Sequence, residues 1–366
     1  MKKNVIKFLI LILLFGGLFL VTGCNDGANQ FDDPDDPTEN PSEPSDPVKP
    51  DDPDEPETPT DTEYYSKGFT IYELKDAEGN PIDGYAVGEY EGKDTEVIIP
   101  STWNEKPIIK ITDNTFKGNE KITKVTIPAS VKIIGKEAFA GCAELKAVVF
   151  KDNSELQLIN NEAFRGCTKL KGFTIPEGVK QIGEFAFYQC RSILELVVPI
   201  SVNTIGRAAF GEMLSLQRLA VPFIGGGNAT GADKNILGYV FGSTYSSGTI
   251  STKQEYKTGI SSDGKITTET QNYYIPESLV EVEILASSEN TIPYCAFSGV
   301  KSINVIVIPA NIVEIEAHAF HETIGLSQIR YRGTKVEWSK IVGVATDPSN
   351  AATLSTPNLV VFEYND

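Results

Sequence analysis

The stretch KVTIPASVKIIGKEAFAGCAEL at residues 124–145 decides the fold, because variants of it return along the chain at nearly constant spacing. A phenylalanine, usually preceded by alanine, marks the repeat most clearly. The phenylalanines are Phe116, Phe139, Phe164, Phe187, Phe210, Phe297 and Phe320, with successive spacings of 23, 25, 23, 23, 87 and 23 residues. Self-similarity at a period of about 20–50 residues is typical of solenoids, in which each repeat forms one coil.

Three apolar positions follow the phenylalanine in each repeat. Counted from the phenylalanine, they lie six, nine and eleven residues further along the chain. Examples are Ile122/Val125/Ile127, Leu170/Phe173/Ile175, Leu216/Leu219/Val221 and Ile303/Ile306/Ile308. The last two are two residues apart, so both point inward on a short strand. A proline usually ends this strand, because it lacks a backbone donor. An isoleucine five residues before most of the phenylalanines gives a second inward position.

One such unit cannot bury its apolar edge alone, so neighbouring units must stack into a continuous core. The spacing is the L-x-x-L-x-L pattern of a leucine-rich repeat. The sequence therefore predicts a β-rich solenoid with coils of about 23 residues, built of short strands and turns and capped at both ends.

The motifs of residues 124–145, Ile-Pro, then Ile-Gly, then Ala-Phe-x-Gly-Cys, resemble the BspA-like leucine-rich repeat family of bacterial surface proteins. The resemblance covers roughly residues 85–342. Known members of that family include adhesins and binders of host proteins. The resemblance thus implies a leucine-rich repeat fold and a binding role at a cell surface.

The presence or absence of the repeat divides the chain. The predicted segments are an N-terminal β cap with the first coil (64–111), leucine-rich repeats (112–222 and 273–329), a Gly/Ser/Thr-rich island without the repeat (223–272) and a C-terminal cap (330–366). The second repeat is two residues longer than its neighbours, which predicts a bulge around Asp152–Ser154. We expect Tyr331, Trp338 and Ile341 to shield the last coil, since an open end would expose apolar surface.

The first 23 residues are typical of a lipoprotein signal peptide. Lysines at 2, 3 and 7 precede an apolar run from Phe8 to Val21, which is short for a transmembrane helix. The run ends in Val-Thr-Gly-Cys, which resembles the bacterial lipobox and predicts lipidation of Cys24. A plain signal peptide and a single-span anchor are the alternatives.

Residues 24–63 form an acidic, proline-rich segment. Residues 25–63 contain fifteen Asp and Glu against Lys49 alone, out of a formal net charge of −18 for the whole chain. Prolines recur at almost every third position from Pro34 to Pro59, which favours extended polyproline II, and the repelling carboxylates extend it further. We predict a disordered tether that holds the repeats away from a membrane. The acidic charge disfavours nucleic acid as a partner.

Cysteines, histidines and glycines give no strong signal for chemistry. Cys142, Cys167 and Cys190 occupy one column of the repeat and are expected to be buried thiols, with a disulfide between neighbours as the alternative. His318 and His321 lack an evident third metal ligand. Glycines at 225–227 and 231 are not followed by the lysine-containing helix of a phosphate loop. We therefore predict no metal and no cofactor.

The residues between the two inward strand positions should point outward and form a low stripe on the sheet. They are Thr126, Val149, Thr174, Val197, Ala220 and Val307. An exposed apolar stripe rimmed by charge is typical of a protein-interaction site, although valine and threonine also favour strands of any kind. Tyr239 and Tyr245 in the island are the competing contact residues.

These observations favour a cell-surface, lipid-anchored binding or adhesion module, attached to the cell envelope membrane through Cys24, exposed on its outer side and monomeric in its folded domain. Its expected partner is an extracellular protein or glycan. The alternative is a scaffolding envelope protein without a soluble ligand. An enzyme is disfavoured, because the island has no histidine and no recognisable nucleophile with a base.

Overall fold

The computed structural model describes residues 65–344, 347–354, 356 and 359–364. The predicted signal peptide, the predicted tether and Cys24 lie outside these residues.

Five strands form the N-terminal cap and the first coil. They are β1 (Phe69–Lys75), β2 (Pro81–Tyr90), β3 (Glu96–Ile98), β4 (Thr102–Trp103) and β5 (Lys106–Ile111). Strands β1 and β2 pair antiparallel around a turn in which Asp76 Oδ1 accepts a hydrogen bond from the backbone N–H of Asn80 at 2.8 Å. The sequence predicted a β cap here, and β2 begins at Pro81, directly after the turn.

Short strands recur through the repeats. They are β6 (Lys124–Ile127), β7 (Ile133–Ile134), β8 (Ala147–Phe150), β9 (Leu158–Ile159), β10 (Gln181–Ile182), β11 (Glu195–Val197), β12 (Thr204–Ile205) and β13 (Arg218–Val221). A 3₁₀ turn at Leu237–Val240 precedes β14 (Thr249–Ile260) and β15 (Ile266–Pro276). The remaining strands and helices are β16 (Glu281–Ile284), β17 (Thr291–Ile292), β18 (Val305–Pro309), β19 (Glu314–Ile315), β20 (Gln328–Arg332), α1 (Lys335–Lys340), α2 (Pro348–Leu354) and β21 (Val360–Phe362).

The chain is a β-solenoid, as predicted. Most coils give one strand to each of two rows, and within each row the strands of successive coils pair in parallel. The first row consists of a three-stranded sheet, β3-β6-β8, and a six-stranded sheet, β11-β13-β16-β18-β20-β21. The second row is built from the two-residue strands that carry the recurring isoleucine, such as β7 and β9.

The seven recurring phenylalanines form a column along the core, which we call the phenylalanine column, and all seven rings are buried. Phe139 stacks on Phe164 with ring centroids 5.0 Å apart, and Phe164 stacks on Phe187 at 5.4 Å. The parallel stacking follows from the repeat, because equal side chains at equal positions of stacked coils lie one above the other.

The predicted island at 223–272 does not lack the repeat throughout. Phe210 N–H donates to Val240 O at 2.8 Å, just as Phe187 N–H donates to Ala209 O in the preceding coils. Phe241 therefore continues the phenylalanine column, and it is buried. After Phe241 the chain leaves the solenoid and forms the long antiparallel hairpin β14–β15, before the repeats resume.

The C-terminal end is closed as predicted, since Tyr331, Trp338 and Ile341 are buried in the main core. The ring centroids of Tyr331 and Trp338 lie 5.0 Å apart. Helix α1 presents Trp338 and begins with a reciprocal cap between Thr334 and Glu337. No helix among the described residues is both long and apolar enough to span a membrane.

Candidate functional site on the strand face

The outward positions of the first strand row form the surface on which sequence analysis placed a ligand. In the N-terminal repeats this surface is accessible. Val149 is 41% exposed and Val197 is 44% exposed, Thr174 is exposed as well, and Thr126 is half-buried. These four residues are where the sequence predicted them, and they make a low, largely apolar surface that we call the apolar section.

The strand ladder is interrupted within the apolar section. The pairing of Ala147 with Gly172 is an isolated bridge, one sheet ends at β8, and the next begins at β11. Phe173 takes the place that Val148 and Leu196 fill in adjacent coils, and its ring lies 4.9 Å from the rings of Phe164 and Phe187. We attribute the interruption to this larger side chain and to Gly172, because glycine weakens a strand.

A groove of about 550 Å³ lies at the interruption. Its lining residues are Val148, Val149, Phe150, Lys151, Asn153, Ser154, Thr174, Pro176 and Glu177. Asn153 has a φ of 60° and turns the chain within the predicted bulge, so the two additional residues of the second repeat form one wall. The volume is within the range of ligand sites. The apolar floor and the opposite charges of Lys151 and Glu177 suit a ligand with both apolar and polar groups.

The C-terminal half of the strand face is charged, not apolar. Arg218 bonds to Glu195, Glu281 and Glu283, and its Nε lies 3.0 Å from Glu281 Oε1. Arg330 lies 3.5 Å from Glu281, and Arg332 lies 2.5 Å from Glu283. These six residues, on β11, β13, β16 and β20, constitute the charged network.

Two predicted contact residues are buried beside this network. Ala220 is 0% exposed and Val307 is 3% exposed, so the prediction that they form an accessible stripe was wrong. Both are paired in register with Glu283, which lies between them on β16. The long side chains of the charged network extend over the sheet from adjacent outward positions. They cover the smaller side chains of Ala220 and Val307 that lie between them.

The carboxylates of the network favour the charged form of Arg218. Burial acts to lower the pKa of Arg218, but its hydrogen bond to Glu281 and the charges of Glu283 and Glu195 outweigh burial and raise that pKa. The guanidinium is therefore a permanent cation in a fixed position. A preformed array of this kind can orient a polar ligand without first having to order its own side chains.

The two tyrosines predicted as competing contacts differ. Tyr245 is 68% exposed and packs against Tyr274 with ring centroids 5.5 Å apart. Tyr239 is buried, so the prediction of a contact role for it was wrong. Its ring lies beneath the guanidinium of Arg207, at 4.7 Å, and it belongs to the coil that carries Phe241.

The base of the hairpin is anchored by buried polar groups. Arg207 forms a bidentate pair with Asp233 at 2.7 and 2.8 Å, and Tyr273 donates its hydroxyl hydrogen to the same carboxylate. Burial acts to raise the pKa of Asp233, but the hydrogen bonds from Arg207 and Tyr273 hold it below its ordinary value. Gln254, fully buried, accepts from Gly238 N–H at 2.6 Å and donates to Ser298 O at 3.1 Å.

The three column cysteines are buried and free. Each sulfur lies 3.1–3.2 Å from the backbone oxygen of the phenylalanine one coil earlier, as Cys142 does from Phe116. Burial raises the pKa of Cys142 to about 12. The rings of His318 and His321 are 5.3 Å apart, and among the described residues no group of three side chains could hold a metal ion.

Residues 106–224 and 266–340 match, in six copies, the family described as the BspA type leucine-rich repeat region. Among solved structures, a leucine-rich repeat protein of T. pallidum is 31% identical, over 41% of this chain and 68% of that chain, with a TM-score of 0.38. A leucine-rich repeat protein from Bacteroides ovatus is 19% identical, over 73% and 70%, with a TM-score of 0.38. The pneumococcal vaccine antigen PcpA is 18% identical, over 74% and 71%, with a TM-score of 0.41.

No curated protein matches the chain at a significant level. The six family repeats together span more than half of the residues and include most of the stacked coils described above. The chain therefore belongs to the family of BspA-type leucine-rich repeat proteins.

Proposed function

We propose that this protein is a binding or adhesion module of the bacterial cell surface, anchored through a lipid on Cys24, and that it holds an extracellular protein or glycan on its strand face. The observation that carries the proposal is the apolar section, where Val149, Thr174 and Val197 are exposed and the first two line the groove. Contiguous apolar surface with a polar rim commonly marks an interaction site.

The charged network supports the same role. It borders the apolar section, because Glu195 lies on β11 with Val197 and is bonded to Arg218 on β13. An apolar centre with a polar rim is the usual arrangement of a protein interface. The rigid repeat presents both parts at fixed positions, which lowers the entropic cost of binding.

The proposal is tested by a binding screen with the purified protein against immobilised extracellular-matrix proteins and glycans. The decisive variant carries Val149→Glu and Val197→Glu, which place two charges in the apolar section. The control carries Val313→Glu and Val342→Glu, at 54% and 60% exposed valines beside the second strand row. We expect saturable binding that the first variant loses by about a hundredfold or more, as for the loss of a central contact, and that the control retains.

Unchanged binding by the first variant would exclude the strand face. Loss of binding in the single variant Tyr245→Ala would assign the contact to the region of the hairpin. A screen in which no ligand binds the parent chain would favour the scaffolding alternative. Deleting the whole island is not a suitable test, because Tyr239 and Phe241 belong to the core.

A further inference from the structure

The hairpin β14–β15 has two edges of very different kind. It is a separate two-stranded sheet, and all seven residues of β15 from Ile266 to Asn272 are exposed. An uncovered strand edge presents unpaired N–H and C=O groups, which can pair with another strand. The question is which groups of β15 are free.

The hydrogen bonds at the two ends of β15 show which of its backbone groups face away from β14. Ser261 N–H donates to Lys265 O at 2.8 Å within the hairpin, whereas Tyr274 N–H points out of it and donates to Gly242 O at 3.0 Å. Backbone groups of an antiparallel strand alternate between its two sides. Hence the N–H and C=O groups of Ile266, Thr268 and Thr270 also face away from β14, as do those of Asn272, whose C=O accepts a hydrogen bond from Gln271 Nε2 at 3.2 Å.

Within the part of the chain that the structure describes, the edge of β14 is protected against pairing, whereas the edge of β15 is exposed from Ile266 to Thr270. Strand β14 has a register shift between Lys257 and Gly259. Its carbonyl at Lys253 is covered by Gly299, which lies so close that a Cβ added there would be 2.9 Å from Lys253 O. Bulges, lysines and coverage are the ways in which proteins protect strand edges. The sequence ITTETQN at 266–272 contains no lysine, arginine, glycine or proline, and the additional residue of the bulge, Thr258, lies on β14 opposite Thr267 and Thr268.

We propose that the free edge of β15 pairs antiparallel with the same edge of a second copy of this chain, centred on Thr268. In that register Thr268 lies opposite Thr268 of the second copy and Ile266 lies opposite Thr270. Each such pair exchanges both backbone hydrogen bonds. Centring on Glu269 would place two carboxylates face to face, which is destabilising.

This association goes beyond the proposed function and beyond the monomeric domain expected from the sequence. Two strands of seven residues make a small interface, so the dimer is weak in dilute solution. Attachment of many copies to one membrane raises their effective concentration, and the pairing then forms between neighbouring copies.

The test uses sedimentation equilibrium of the full chain carrying Cys24→Ala, in detergent, up to millimolar concentration. Thr268 and Lys257 are direct cross-strand partners whose N–H groups face opposite edges, so Thr268→Pro and Lys257→Pro form a matched pair. Each proline removes one outward donor and leaves the hairpin's own hydrogen bonds intact. We expect a dimer whose dissociation constant is unchanged by Lys257→Pro and raised at least about tenfold by Thr268→Pro.

A second measurement holds even if a proline variant unfolds. Thr268→Cys should give a disulfide between two copies on mild oxidation, because the Cα atoms of such a pair lie about 5.5 Å apart, within disulfide range. Lys257→Cys should not. A monomeric parent chain, equal weakening by both prolines, or equal crosslinking by both cysteines overturns the proposal. A parent that stays monomeric but loses ligand binding with Thr268→Pro would assign the edge to a strand of another protein.

Discussion

Single side chains decide how the coils stack, and the phenylalanine column shows this best. From Phe116 to Phe210 each ring contacts the ring of the next coil, as Phe164 contacts Phe187, and Phe297 contacts Phe320. The loss of one ring leaves a cavity in two interfaces at once, because each ring packs against both neighbouring coils.

Phe187→Ala should lower the free energy of unfolding by about 3–5 kcal/mol. The control is Phe185→Ala, two residues away, where the ring is only half-buried and packs on Tyr188 at the surface. Denaturant unfolding monitored by circular dichroism measures both. Similar midpoints for Phe187→Ala and the parent chain would show that the column does not carry the core.

The spacing in the sequence predicts which residues are buried in the column, but not which outward residues are covered. Val149 and Val197 are exposed as predicted, whereas Ala220 and Val307 are covered. The difference in exposure depends on Glu283, which lies between Ala220 and Val307 in register. Because the coil of Glu283 follows the long insertion, the sequence pattern did not align it with the neighbouring coils. The prediction for Tyr239 was wrong because its coil was not recognised in the sequence. The phenylalanine of that coil, Phe241, follows a valine instead of the usual alanine.

The column cysteines should react with a maleimide only when the domain unfolds. Their thiols are buried, and burial raises the pKa of Cys142 to about 12, so neither access nor thiolate is available near neutral pH. Mass spectrometry after labelling in increasing denaturant is the measurement. Labelling should rise together with the loss of secondary structure, and rapid labelling of native protein would contradict the packing.

Among the elements of the fold, the hairpin β14–β15 is the largest that sequence analysis missed; helices α1 and α2 of the C-terminal cap were not predicted either. Its glycine, serine and threonine content indicated a loop. Strand β15 is mostly exposed, so it lacks the alternation of apolar and polar residues that marks a half-buried strand. Its position depends on contacts between residues distant in sequence, such as Tyr273 with Asp233 and Gln254 with Ser298. No local pattern encodes such contacts.

Gln254→Ala should loosen the base of the hairpin without unfolding the solenoid. The change leaves Gly238 N–H and Ser298 O buried without their partner, at a cost of about 1–3 kcal/mol. Hydrogen exchange should become faster in residues 249–255 and 272–276 and stay unchanged in β6 and β8. Thr258→Ala, on the exposed part of the hairpin, is the control. Equal exchange in both variants would show that Gln254 does not anchor the hairpin.

Considered as a whole molecule, the chain joins a lipoprotein-like leader, an acidic proline-rich segment and the solenoid. The order of these parts is what a display function needs, because a spacer between anchor and repeats keeps the strand face accessible. The sequence alone predicts this order. The leader and the spacer lie outside the described residues, so their roles stay predictions.

Cys24→Ala should release the mature protein from the membrane. Stable anchoring requires more than one acyl chain, and the lipobox-like Val-Thr-Gly-Cys is where such chains would be attached. Detergent phase partitioning of the parent chain and the variant is the measurement. Equal partitioning, with processing at the same bond, would contradict lipidation at Cys24.

Adhesion of intact cells that display the full chain tests the proposed surface function most directly. Cells are allowed to settle on the extracellular protein or glycan identified in the screen, and the fraction retained under flow is measured. We expect retention by the parent chain and by the Val313→Glu/Val342→Glu control, and its loss with Val149→Glu/Val197→Glu at equal surface expression. Equal retention by all three would contradict binding through the strand face.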